Sequence, residues 1–202
     1  MSDDSSIRCR DDGHGRWRSI FRCLKTDTMR YLTKSPENVA AGVTFKSVTS
    51  ALLTNQLQCM VLYRLSHLLY LRGHRWSALL LSRLNYYIHK VSLPPETCLG
   101  AGCFIPHPVG VFFCASAGEG LTLYHLAVAC AAAEGGREHS GAWLGDRVVI
   151  GGRAVLLGPV RVGDDAKVFA VHIRSDVPSG TLAVCGRSRQ RMTLHATKEC
   201  SS

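Results

Sequence analysis

Leu144-Gly-Asp-Arg-Val-Val-Ile-Gly-Gly-Arg-Ala-Val-Leu-Leu-Gly-Pro-Val-Arg-Val-Gly-Asp-Asp-Ala-Lys-Val168 is the stretch that decides the fold. Every sixth residue is aliphatic: Leu144, Ile150, Leu156, Val162 and Val168. Glycine follows at Gly145, Gly151 and Gly163, and Val148, Ala154, Val160 and Ala166 stand four places on. A period of six matches neither the helix nor the simple strand. It is the signature of a parallel β-helix, in which each hexad supplies one short strand and one corner. Glycine suits such a corner because it adopts strained dihedrals at little cost. An ordinary strand-rich domain would need five consecutive registers to agree by chance.

The same period runs upstream through Leu99, Ile105, Val111, Ala117, Leu123 and Ala129, with Gly100 again after Leu99. It fails between Cys130 and Trp143, so residues 131–143 read as a loop pushed out of the coil. Before Pro94-Pro95 the texture is helical. Leu53, Leu57, Val61, Leu65 and Leu69 recur every four residues, as do Leu80, Leu84 and Ile88, which predicts two helices with apolar stripes. Arg72-Gly73-His74 separates them, and Ser35-Pro36-Glu37 marks an earlier helix boundary. The expected architecture is α+β: a loose arm (1–15), a helical domain (16–95), a β-helix (96–178) and a C-terminal tail (179–202).

The 202 residues suffice for one ordinary domain, or a small one with a helical attachment. Apolar residues at 46% can build a core, and charged residues at 19% are too few for a disordered chain. A net charge of +9 favours anionic partners, but the cations are scattered rather than blocked, which argues against nucleic acid. The longest apolar runs are broken by Arg64, His67, Arg83 and Asn85, short of the roughly 20 apolar residues that span a bilayer. The polar start, Met1-Ser-Asp-Asp-Ser-Ser, has no signal-peptide texture, so a cytoplasmic chain is expected. Nine cysteines without a C-x-x-C pair read as buried, reduced thiols rather than a disulfide framework.

Ile105-Pro-His-Pro-Val-Gly-Val111 is the sharpest local feature. Two prolines hold His107 on stiff backbone, and a neutral imidazole at a fixed spot can act as a general base. From the residues alone, a histidine that merely fills a coil corner fits equally well.

Here the chain resembles the serine O-acetyltransferases, within the hexapeptide-repeat acyltransferases, from about Leu24 to Arg189. Tyr63-Arg64-Leu65-Ser66-His67 is similar to the family's Tyr-Arg-x-x-His run, which packing of a helix face explains as well as a direct role does. Ile105–Val111 looks like its catalytic turn, and Leu144–Gly151 resembles its Ile-Gly-Asp-x-Val-x-Ile-Gly coil. The resemblance implies a left-handed β-helix, assembled as trimers, with acetyl-CoA as co-substrate in the groove between neighbouring subunits. It implies His107 as the general base, with Arg137 and His139 in the extruded loop as substrate-binding residues. Gly152, Lys167 and Ala170 fall where the family contacts CoA.

Three acidic positions of the family are neutral here, at Ser35, Ser92 and Pro106, and Arg153 and Arg187 replace smaller residues near the CoA positions. The expected function is acetyl transfer from acetyl-CoA to serine, in cysteine biosynthesis. The alternatives are another hydroxyl or amine acceptor, or a catalytically silent β-helix that binds a partner. A homotrimer, or a hexamer of two trimers, is expected because the coil's faces are long and flat. A metal site is the remaining alternative. His107 and His125 are three hexads apart, which stacks them about one strand spacing, roughly 4.8 Å, apart. Zinc-binding hexapeptide proteins resembling the γ-class carbonic anhydrases also need a His pair five apart, which is absent, so no metal site is expected.

Overall fold

The computed structural model describes residues 16–34, 49–51, 53–130, 141–185 and 192–196. Among the described residues, the named helices come first: α1 (Trp17–Lys34), α2 (Asn55–Leu71) and α3 (Arg75–His89). Gly73, at φ +86°, makes the break between α2 and α3. The strands follow as β1 (Val91–Ser92), β2 (Val111–Phe113), β3 (Ser116–Ala117), β4 (Thr122–Leu123), β5 (Val128–Cys130) and β6 (Trp143–Leu144). Then come β7 (Val149–Ile150), β8 (Val155–Leu157), β9 (Arg161–Val162), β10 (Lys167–Phe169), β11 (His172–Ile173), β12 (Thr181–Cys185) and β13 (Met192–Ala196).

The chain visits three sheets in turn. The first stacks β1, β2, β5, β8 and β11; the second β3, β6 and β9; the third β4, β7, β10 and β12. All neighbours pair parallel except β12 with β13, an antiparallel hairpin on the edge of the third sheet. Each sheet sends one ladder of apolar side chains inward. Phe113, Ala129, Leu156 and Ile173 form the first. Leu99, Ala117, Leu144, Val162 and Val177 form the second. Leu123, Ile150, Val168 and Ala183 form the third. All are buried, and each larger aliphatic side chain contributes about 1.5–3 kcal/mol by leaving water.

Four expectations need correction. Phe113, not Val111, belongs to the first ladder, because Phe113 is the residue that pairs with Ala129. Ile105 to Phe113 spans eight residues where Leu123 to Ala129 spans six, and the shorter step from Phe113 to Ala117 restores the register. The coil starts within the expected helical domain, at β1, and runs on through β12, to which β13 adds an antiparallel hairpin, where a tail was expected. The apolar stripe of α3 faces outward: Leu80 is 71% and Ile88 57% exposed. In α2 the buried face is instead Leu57, Cys59, Met60, Tyr63, Arg64, Ser66, His67 and Leu68. Cys98 is disulfide-bonded, whereas Cys23, Cys59, Cys103, Cys114 and Cys130 are free thiols. Burial pushes the Cys103 thiol up to about 12 and Cys114 up to about 11, which keeps both protonated at neutral pH.

Tyr63-Arg64-Leu65-Ser66-His67 is the clamp between helices and coil. Tyr63 donates to the Thr97 carbonyl at 2.7 Å, and His67 Nδ1 lies 2.8 Å from the Pro95 carbonyl. Arg64 donates to the carbonyls of Leu99 and Gly100, both at 2.6 Å, and is paired with the Asp27 carboxylate of α1. Asp27 in turn accepts the Cys103 N–H at 2.8 Å. Backbone groups at the open end of the coil thus find side-chain partners instead of water.

Candidate active site

His107 stands in the corner that leads from the third sheet to the first. Gln56 of α2 donates to the Pro106 carbonyl at 3.0 Å, the Val109 N–H closes onto the His107 carbonyl at 2.8 Å, and Gly110 N–H donates to Lys90. Pro108 is buried while His107 is exposed, so the two extra residues of this turn push the imidazole outward from a fixed base. Gly110, at φ +65°, stands in a column of left-handed corner residues that runs from Lys90 on through Leu126, Arg153 and Ala170. The same corner holds Gly152. Lys167 is exposed at the start of β10, on the outward side of the third sheet. Of the residues expected at the site, His107, Gly152 and Ala170 thus share one corner, with Lys167 on the adjoining sheet. Arg137, His139, Ser35 and Arg187 lie outside the described residues. Ser92 sits on β1 opposite Phe112.

From the sequence, His125 stands out only as a candidate metal ligand. Its ring meets that of His107 edge-on, with centroids 6.2 Å apart and planes at 61°. Both are exposed. Gly152, one rung further, leaves room for it: a Cβ there would lie 3.0 Å from Cε1 and Nε2 of His125. The 18-residue interval was the signal that stacked the two histidines, but it carried no information on ring orientation. Gln56 left no signal in the sequence. Among the described residues no three His, Cys, Asp or Glu side chains group as metal ligands, and no helix is long and apolar enough to cross a membrane.

No family model matches the chain. Serine acetyltransferase of Helicobacter pylori is 34% identical over 142 residues, covering 68% of this chain and 82% of that one. The chain belongs to the serine acetyltransferase family. It is accordingly an acyltransferase. Serine acetyltransferase of Mycobacterium tuberculosis is also 34% identical, over 111 residues, covering 54% of this chain and 48% of the relative. Among solved structures, Neisseria gonorrhoeae serine acetyltransferase in complex with serine aligns at TM-score 0.75 and 25% identity, covering 89% of this chain and 70% of that one. The soybean apoenzyme aligns at TM-score 0.74 and 24% identity, covering 88% and 69%, a likeness of fold. The helical region followed by parallel-strand sheets is thus common to this family member and those structures.

Proposed function

We propose that this protein transfers an acetyl group from acetyl-CoA to the hydroxyl of serine, with His107 as the general base. The observation that carries the reading is the exposed imidazole on a backbone tied down by two prolines, Gln56 and Lys90. His107 accepts the proton of the acceptor hydroxyl as its oxygen attacks the thioester carbonyl; the C–O bond forms, the C–S bond breaks and the proton passes to the leaving thiolate. The coil winds left-handed, and Gly152, Ala170 and Lys167 border the groove for CoA. Gly152 gives a backbone that a ligand can approach, and the Lys167 ammonium offers a partner for phosphate. Arg137 and His139 are the proposed contacts to the acceptor. The proposed setting is the cytoplasm, which the five free thiols among the described residues support against the one disulfide-bonded Cys98.

The proposed assembly is a trimer, or a hexamer of two trimers. Exposed side chains at Val109, Phe112 and Leu126 beside the His107 corner support a neighbouring subunit or ligand there.

Thiol release from acetyl-CoA, measured across serine, other hydroxylated amino acids, sugars and amines, tests the reading. Serine should be the preferred acceptor. His107→Ala should lower turnover by roughly 10²-fold or more at an unchanged melting temperature. Turnover by that variant within a few-fold of the parent would remove His107 as the base.

A further inference from the structure

We propose that the helical region sets the pose of His107 through one side chain, Gln56, which makes Gln56 a positioning residue for acetyl transfer. The inference rests on the reading of His107 as the base. Gln56 lies in the first turn of α2 and donates its Nε2–H to the Pro106 carbonyl at 3.0 Å. That carbonyl belongs to the planar peptide unit whose nitrogen is that of His107, so its direction fixes where the imidazole starts.

The turn needs such a tie because it stands outside the ladder of the coil. On one side the Phe104 carbonyl accepts the Leu123 N–H at 3.0 Å, and on the other the Val109 carbonyl accepts the Leu126 N–H at 2.9 Å. Between those rungs the chain runs through Ile105-Pro106-His107-Pro108, whose prolines have no N–H to offer. Each proline fixes its own φ, and Pro108 also confines His107 to extended backbone. The soft motion that is left is a rotation of the Pro106–His107 peptide plane, through ψ of Pro106 and φ of His107. After the histidine, the turn closes on itself where the Val109 N–H meets the His107 carbonyl at 2.8 Å. Before it, the Gln56 amide holds the plane from outside.

Helix α2 is a firm base for this contact. Leu57, next to Gln56, is buried with Leu32 of α1 and Ala51, and Met60 belongs to the core shared with the coil. Farther along the same helix, Tyr63 and Arg64 bond the carbonyls of Thr97, Leu99 and Gly100. Gln56 itself borders a void of about 10 Å³ together with Leu57, Met60, Phe104 and Ile105, at the lower limit of what holds one water. An apolar side chain of the same length would fill that space without offering a donor. Because Gln56 grips the backbone and not the ring, the imidazole stays available to accept the hydroxyl proton. The amide does not titrate and exchanges no proton during turnover.

The test compares Gln56→Met and Gln56→Lys with the parent in thiol release from acetyl-CoA with serine, recording kcat, KM and melting temperature. Met matches the length of the side chain but has no donor, whereas Lys keeps one. Met should lower kcat about tenfold with KM for acetyl-CoA within about twofold, and Lys should hold kcat within about threefold. A kcat in folded Gln56→Met within about twofold of the parent would overturn the inference. So would a Lys variant as slow as the Met one, which would trace the loss to packing. Gln56→Leu repeats the comparison if Met weakens the fold. In a His107→Ala background, Gln56→Met should change the residual turnover by less than about twofold, because no imidazole is left to position. A loss of about tenfold there would place the effect elsewhere and overturn the inference too. If His107→Ala alone stays active, the base reading fails and this inference with it, whereas an inactive His107→Ala beside an unaffected Gln56→Met refutes the inference alone.

Discussion

Arg64 joins the two halves of the molecule through one side chain. Burial disfavours its charge, yet Asp27, Tyr63 and Cys23 together hold the guanidinium protonated, above the ordinary arginine value. Its head is 1% exposed and its donors reach Asp27, Leu99 and Gly100. Removing it would leave Asp27 buried without its partner and two backbone carbonyls without donors. Arg64→Ala should cost about 3–5 kcal/mol of stability by urea denaturation, and adding Asp27→Ala should recover part of that loss because no buried charge then remains. A loss under about 1 kcal/mol would mean that water replaces the clamp. The Tyr-Arg-x-x-His spacing was legible in the sequence. Its role was not, because a helix face that grips a neighbour and one that lines a site present the same residue types.

At the corner between the second and third sheets, glycine and aspartate form a ladder. Asp146 accepts the Glu119 N–H and Asp164 accepts the Asp146 N–H, each at 2.8 Å. These carboxylates occupy the space where a side chain one rung back would begin. A Cβ on Gly118 would lie 2.1 Å from Asp146 Oδ1, and one on Gly145 equally close to Asp164 Oδ1. Gly118→Ala should therefore destabilise by about 1–3 kcal/mol, whereas the same change in an Asp146→Ala background should cost clearly less. Equal costs in both backgrounds, measured as a double-mutant cycle, would refute the ladder. The Gly-Asp dyads could be read as corners from their period alone. The shift from Val111 to Phe113 could not, because two extra residues before the strand and two fewer after it cancel in any count of hexads.

The coil leaves its outward faces open. The helical clamp covers its first rungs, and the β12–β13 hairpin extends the edge of the third sheet. Along α3, Trp76 is 86%, Leu80 71% and Tyr87 69% exposed, an apolar surface of the kind that isolated chains rarely present. Light scattering at micromolar concentration should accordingly give about three or six times the 22.0 kDa of one chain. A particle of 22.0 kDa would contradict the proposed assembly.

The order of helices and coil, the hexad period and the stiff turn that carries His107 were legible in the sequence alone. Each depends on local chemistry that repeats along the chain: an aliphatic residue every sixth position, glycine at corners, prolines that stiffen one turn. Tertiary structure decided the rest. Which face of α2 and α3 is buried depends on what the rest of the chain brings against it, and an apolar stripe does not say whether that surface belongs to the same chain. The meeting of His107 with His125, and of Gln56 with Pro106, joins residues 18 and 50 positions apart. Ring orientation and a carbonyl's partner are properties of the packed corner, so only three-dimensional structure brings them into contact.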